Sequence, residues 1–174
     1  MQALITFVLP FVQIVAHRAG PQHLPASRFL LALVLALHIA VYYAAMVILE
    51  VPAARAVALP FVDTLTQSVC FAAVLLFLGL QGRMLQTLTA VFGADVLLNL
   101  LQLPLAVFGP LSSGSPAAVV SLLLLIAIAL WSLGVKGHIL RHAAGLPYFV
   151  GVALALVFLI GFLAIEQALF GGTA

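Results

Sequence analysis

One stretch of the sequence decides the fold: residues 83–109, RMLQTLTAVFGADVLLNLLQLPLAVFG. At the helical rise of about 1.5 Å per residue, this stretch is long enough to cross a bilayer. It nevertheless carries Asp95, Asn99 and Gln102, whose spacing places all three on one face of a helix. Because an unpartnered carboxylate is costly in hydrocarbon, this polar stripe must face protein or water. The other apolar segments are therefore predicted to form a wall that hides the stripe from lipid.

The composition of the whole chain indicates an integral membrane protein. Of its 174 residues, 66% are hydrophobic and only 6% are charged, whereas soluble domains carry about 25% charged residues. We therefore treat residues 1–174 as a single integral membrane domain whose main partner is the lipid bilayer. The formal charge of +2, without a basic run, argues against nucleic-acid binding. The single cysteine, Cys70, lies in an apolar segment and is expected to pack without reacting.

Apolar runs separated by prolines, glycines and polar turns predict an all-α, polytopic transmembrane helical bundle. Its five spans are expected at residues 28–50, 60–81, 84–109, 117–135 and 148–170. Pro60 is expected in the first turn of the second span, where a proline is tolerated. Gly145 and Pro147 are expected to end the helix that precedes the fifth span.

The segment before the first span, residues 1–17, is predicted to be a separate helix. It lacks the positive n-region and the cleavage site of a signal peptide, and it is short for a span. Its polar side chains cluster within about 60° of a helical wheel; they are Gln2, Thr6, Gln13 and His17. We therefore expect an amphipathic, interfacial helix, bent at Pro10 and lying in the membrane surface. The alternative is a tilted or re-entrant segment packed on the bundle.

The positions of the basic residues predict the orientation of the chain. With a cytoplasmic N-terminus, five of the six Lys and Arg residues lie inside and only Arg55 lies outside. We therefore expect a cytoplasmic N-terminus and a C-terminus on the opposite side. The five residues are also expected to contact anionic lipid headgroups. This cytoplasmic basic cluster consists of Arg18, Arg28, Arg83, Lys136 and Arg141.

Two ionisable residues are expected at the same depth in the membrane. His38 lies ten residues beyond Arg28, and Asp95 lies twelve beyond Arg83, which places both about 15–18 Å into the bilayer, near its midplane. The candidate intramembrane polar cluster consists of His38, Asp95, Asn99 and Gln102. Such a cluster could relay protons or bind a cation. The alternative is a structural contact in which Asp95 hydrogen-bonds a neighbouring side chain or helix.

Two other pairs of polar residues are candidates for function. Asp63 and Gln67 share a face of the second span and are expected near its outer end, either lining a vestibule or contacting water and headgroups. His138 and His142 have the i, i+4 spacing of metal ligands, but no third ligand lies nearby in the sequence. Solvated histidines are therefore expected, and neither a metal site nor a cofactor is predicted.

The chain carries no HExxH, GxSxG or P-loop pattern, so it is not predicted to be an enzyme. The first hypothesis is a non-enzymatic scaffold or accessory subunit that packs, through its small residues, against itself or another membrane protein. The alternative is a small transporter or channel subunit that uses the midplane cluster. A third, weaker hypothesis is headgroup chemistry at the two C-terminal histidines.

Five spans with short loops, a Gly20-Pro21 lead-in and the pattern QTLTAVFGADVLLNLLQLPL at 86–105 resemble the YIP family of Ypt/Rab-interacting membrane proteins and their bacterial relatives. The resemblance implies a five-span membrane protein. The eukaryotic members carry a long hydrophilic N-terminal region that this sequence does not show, so the resemblance implies neither Rab binding nor any functional residue. The bias towards arginine suggests a bacterial inner membrane.

Overall fold

The structure, a computed structural model, describes residues 2–108 and 116–171, with side chains over 7–105 and 116–171. Within those ranges the chain is almost entirely helical and has no strand, which confirms the all-α class. The predicted end of the third span at residue 109, and the side chains of Gln2 and Thr6, lie outside the described parts. The helices are α1 (Gln2–Val15), α2 (Arg28–Ile48), α3 (Ala53–Phe77), α4 (Met84–Phe108), α5 (Pro116–Ala144) and α6 (Tyr148–Phe170).

Five of these helices, α2 to α6, are long and apolar enough to cross a membrane, as the sequence predicted. Their outer faces carry large apolar side chains such as Phe29, Phe77 and Phe149, which are largely exposed in the isolated chain. Lipid contact explains this exposure, because these side chains would be unfavourable against water. The chain is therefore an integral membrane protein.

Helix α4 is the centre of the bundle. Half of its most apolar stretch is buried inside the protein, more than in any other span described, and the helix packs against α1, α2, α3 and α5. The buried hydroxyls of Thr87 and Thr89 donate to carbonyl oxygens of the same helix, 2.8 and 2.6 Å away. The prediction that the other segments hide the polar stripe is confirmed for Asp95, which is buried, whereas Asn99 and Gln102 are half-buried.

Three span boundaries differ from the prediction by more than two residues: α3 begins at Ala53 and ends at Phe77, and α5 ends at Ala144. Helix α3 begins at Ala53, so Pro60 lies inside it and not in its first turn. The alanine-rich run before Pro60 favours helix strongly enough to continue through the proline. Helix α5 continues past the predicted span end at residue 135 and ends at Ala144, directly before Gly145, which has a positive φ of 70°; the prediction that Gly145 and Pro147 end this helix is confirmed.

Helix α1 is present, but its packing supports the alternative to a helix lying in the membrane surface. Phe11 and Ile14 are 4% and 0% exposed, and both belong to the main apolar core. The Phe11 ring lies against the backbone of Gly93, about 14 Å along α4 from its first residue. The Trp131 indole nitrogen donates to the Val15 carbonyl oxygen at 3.1 Å. The polar residues of α1 could be read from the sequence, but the site that receives Phe11 could not.

Helices α5 and α6 approach each other closely at two glycines. A Cβ atom built on Gly151 would lie 2.5 Å from the carbonyl oxygen of Gly137. Small residues permit such backbone contact, which contributes to helix association in membranes, where burial of apolar surface contributes little.

The Gly151→Leu substitution is expected to lower the free energy of unfolding by about 1–3 kcal/mol, because α6 must move away from α5. The matched control is Gly161→Leu on the same helix, where an added Cβ meets nothing within 4 Å. Unfolding in mixed detergent micelles, followed by circular dichroism, measures both variants. Equal losses in the two would contradict a close contact between α5 and α6.

Candidate functional site

Four helices bring five polar side chains together in the interior of the bundle. We call this set the buried charge network; its members are His38 on α2, Asp63 and Gln67 on α3, Asp95 on α4 and Lys136 on α5. The sequence predicted two of them, His38 and Asp95, as part of one cluster. In the structure, Asp63 and Gln67 on α3 connect these two residues by hydrogen bonds.

The network is a continuous chain of hydrogen bonds and ion pairs. His38 Nε2 lies 3.0 Å from Asp63 Oδ2. The Gln67 amide nitrogen donates to Asp63 Oδ2 at 2.8 Å and to Asp95 Oδ2 at 2.9 Å. Lys136 Nζ lies 3.2 Å from the same Asp95 oxygen. One amide group therefore bridges two carboxylates, each of which also has a basic partner.

The network lies at the middle of the spans. His38 is the eleventh of 21 residues in α2, Asp63 the eleventh of 25 in α3, and Asp95 the twelfth of 25 in α4. At about 1.5 Å per residue, each lies about 15–17 Å from the start of its helix, half of a hydrocarbon core of about 30 Å. The predicted depths of His38 and Asp95 agree with this geometry.

Two sequence predictions about these residues are wrong. Asp63 and Gln67 do not lie near the outer end of a span, because α3 begins at Ala53 and places them in its middle. Lys136 is not a member of a solvated basic cluster: its side chain is 20% exposed and pairs with Asp95. Lys136 lies eight residues before the end of α5, so its long aliphatic side chain can extend from there toward the middle of the bundle.

Aromatic side chains fix the imidazole of His38, which is 1% exposed. The Phe92 ring lies 5.2 Å from it and the Tyr42 ring 6.1 Å, measured between centroids. The Nδ1 atom of His38 and the Oε1 atom of Gln67 are both buried without a hydrogen-bond partner. A buried polar atom without a partner is costly, so these two atoms are candidates for contact with a ligand or water.

A cavity of about 180 Å³ adjoins the network between α3, α4, α5 and α6. This volume accommodates several water molecules. Of the two other residues predicted in the midplane cluster, Gln102 borders the cavity, whereas Asn99 is half-buried on the same helix and is not a member of the network. The polar residues on the cavity wall are Asp63, Gln67, Gln102, Ser132 and Lys136.

The formal charges of the network sum to zero when His38 is protonated and to −1 when it is neutral. Asp63 and Asp95 contribute two negative charges and Lys136 contributes one positive charge, so the sum is −1 when His38 is neutral. Charges interact strongly in a low-dielectric interior, which favours a site of zero net charge. Ligand atoms of His38, Asp63 and Asp95 lie within 4.8 Å of one another and could hold an ion. The sequence grouped His38 with Asp95 by depth but not with Asp63, because Pro60 was expected to begin its span and so to place Asp63 near the outer end.

The four arginines of the predicted basic cluster are exposed, and they lie at one end of the bundle. Arg83 donates to the Ala143 carbonyl oxygen at 2.8 Å, which ties the start of α4 to the end of α5. At the opposite end, the Arg55 guanidinium donates to the Glu166 carboxylate. The four exposed residues are Arg18, Arg28, Arg83 and Arg141.

A second group of histidines lies at the same end as these four arginines. The ring of His138 lies 4.8 Å from that of His17 and 4.5 Å from that of His142, between centroids. His138 is 6% exposed, and its Nε2 lies 2.9 Å from the Ala19 carbonyl oxygen. Of the predicted solvated histidines, only His142 is exposed; His138 instead fastens the segment after α1 to α5.

Comparison with known proteins identified no relative of this chain. No family model, no curated protein and no solved structure matches the chain.

Proposed function

We propose that the chain is a small membrane transporter that carries a positively charged ion through the buried charge network. The observation that carries this proposal is the position of four ionisable side chains at mid-membrane depth, beside a cavity that two of them border. From the sequence alone, a scaffold is the first hypothesis and this transporter is the alternative. It displaces the scaffold hypothesis because helix packing alone does not require the network.

The cost of the network supports a functional role. Burying charged side chains carries a desolvation penalty, and replacing a buried ion pair by apolar residues of similar size is often neutral or stabilising. Ionisable residues inside membrane spans characteristically mark ion or proton pathways. A scaffold with leucines at these positions would pack as well, so the four ionisable residues call for another explanation.

Asp63 and Lys136 are placed where an ion could pass between the network and water in the cavity. Both line the cavity, while their partners His38 and Asp95 are 1% and 7% exposed at the side chain. An ion in the cavity can contact the Asp63 carboxylate directly, whereas His38 and Asp95 lie behind the cavity wall. When His38 is neutral, the sum of −1 attracts a cation and repels an anion.

The orientation and location of the transporter belong to the same proposal. Four exposed arginines at one end of the bundle, against the single Arg55 at the other, support a cytoplasmic N-terminus under the positive-inside rule. A bacterial inner membrane remains the proposed location. The YIP-like resemblance stays at the level of architecture and assigns no residue a role.

Ion-jump currents on a solid-supported membrane test the proposed function. Liposomes that contain the full chain are exposed in turn to steps of H⁺, Na⁺ and K⁺ concentration. At least one step is expected to give a current that falls about tenfold or more in Asp63→Asn, because a carboxylate central to the ion path is neutralised. A second variant, Asp95→Asn with Lys136→Gln, removes an ion pair without leaving a lone charge.

The control for these currents is Glu166→Gln, which breaks the ion pair with Arg55 outside the network. Its current is expected to equal that of the unmodified protein. If the unmodified protein gives no more current than empty liposomes for any of the three ions, the transporter proposal fails. The scaffold hypothesis then becomes the better account of the chain.

A further inference from the structure

The structure points to the transported ion: we infer that the network is a binding site for one monovalent metal cation, of the Na⁺ or K⁺ class. The inference rests on the proposed function and names its substrate class. The cation would lie between the carboxylates of Asp63 and Asp95, with the Gln67 amide oxygen as a third ligand. All three side chains meet at one point of the bundle.

The Gln67 side chain supplies the observation that is independent of the two carboxylates. It is 6% exposed, and its Oε1 atom is buried without a partner. Its Nε2 atom lies 2.8 and 2.9 Å from the two carboxylate oxygens. The amide nitrogen thus lies where it weakens the repulsion between the two carboxylates.

Rotation of this amide by half a turn would convert the contact into a cation site. Oε1 would then take the present place of Nε2, beside both carboxylate oxygens, and would gain the ion as a partner; Nε2 would give up its two bonds and take the position in which Oε1 has no partner, a cost that binding of the ion must exceed. Oxygen atoms of carboxylates and amides are the ligands that hard cations prefer. Water in the adjoining cavity completes the coordination shell, because the cavity reaches both Asp63 and Gln67.

The charge of the site selects a monovalent ion. With Lys136 held against Asp95 at 3.2 Å, the network carries −1 when His38 is neutral and zero when His38 is protonated, so the metal ion binds the form with neutral His38, in competition with a proton. One Na⁺ or K⁺ brings this sum to zero. A divalent ion would leave a net positive charge in the low-dielectric interior, at a large electrostatic cost. Lys136 therefore acts as a fixed counter-charge that sets the valence of the ion.

Cation-dependent thermal stability of the purified full chain in detergent tests the inference. Na⁺ or K⁺ is titrated as chloride at constant pH and ionic strength, with choline chloride as the balancing salt. Binding to the folded state raises the unfolding temperature in proportion to the logarithm of the ion concentration. At least one of the two ions is expected to do so, whereas Mg²⁺ and Ca²⁺ at matched ionic strength are not.

Two variants of the network sharpen this test. Gln67→Met keeps the size of the side chain but removes the ligand oxygen, and is expected to weaken binding of the monovalent ion about tenfold or more. Lys136→Gln brings the charge to −2 and is expected to shift the preference to Ca²⁺. The control Glu166→Gln is expected to bind as the unmodified protein does.

The outcomes separate this inference from the proposed function. If neither Na⁺ nor K⁺ stabilises the chain but proton steps give a current, the cation site is overturned and the transporter carries protons. If a monovalent ion stabilises the chain but no ion gives a current, the site stands and the transport function fails. A response to Na⁺ that persists unchanged in Gln67→Met would overturn the proposed site.

Discussion

Replacing Asp95 by asparagine is expected to lower the free energy of unfolding by about 3–5 kcal/mol. The substitution preserves size but removes the direct ion-pair partner of Lys136 Nζ, now 3.2 Å from the carboxylate, and leaves only the Asp63 carboxylate in the network to balance the lysine. Loss of a direct partner costs more than the net contribution of the pair, because a neutral amide offsets less of the desolvation of the lysine than a carboxylate does. Unfolding in mixed micelles measures the loss.

The double variant Asp95→Asn with Lys136→Met distinguishes this cause from lost packing. It removes both charges, so we expect it to recover most of the stability that the single variant loses. The control is Glu166→Gln, which breaks a partly exposed ion pair with Arg55 and is expected to cost at most about 1 kcal/mol. A double variant as unstable as the single one would mean that Lys136 is not held by Asp95.

The architecture was predictable because lipid imposes strong constraints on a chain. In hydrocarbon every backbone polar group must be bonded within its own helix, so apolar runs of sufficient length become spans. The polar residues of the stretch around Asp95 identified α4 as the helix that the others must cover, and it is the most buried span described. The ends of α2 and α6 also agree with the prediction to within two residues.

The site was predictable only in part, because its assembly depends on where helices end. His38 and Asp95 could be placed at one depth from their flanking arginines. The sequence predicts a span end at Asp63 because Pro60 is typical of a helix start, although the alanine-rich run before it favours helix. Lys136 has the sequence position of a cytoplasmic charge because a lysine usually ends a span, yet no helix breaker precedes Gly145.

Which helices touch was not predictable from this sequence. In a membrane the lipid-facing and protein-facing sides of a span are both apolar, so periodicity does not orient the helix. The i, i+4 spacing of Asp63 and Gln67 is the one signal that was available, since it repeats the spacing of Asp95 and Asn99. Two polar faces at the same depth in a bilayer must form their hydrogen bonds with each other. The amide of Gln67 does donate to the carboxylate of Asp95.

The placement of α1 leads to the second large expected effect, at the contact between Phe11 and Gly93. Phe11→Ala is expected to lower the free energy of unfolding by about 3 kcal/mol, because the ring is 4% exposed and leaves a cavity against α4. Gly93→Ala is expected to cost about 1–3 kcal/mol, because the new methyl group overlaps the Phe11 ring. Unfolding in mixed micelles gives both values.

Combining the two substitutions decides between the two positions of α1. If the helix packs in the bundle, the methyl group that Gly93→Ala introduces occupies space that the Phe11 ring has left, so the double variant loses less than the sum of the single losses. If α1 lay in the membrane surface, the two losses would be additive. Gly93→Ala alone would then stabilise α4 by up to about 1 kcal/mol, because alanine favours helix over glycine. The sign of that single effect therefore locates α1.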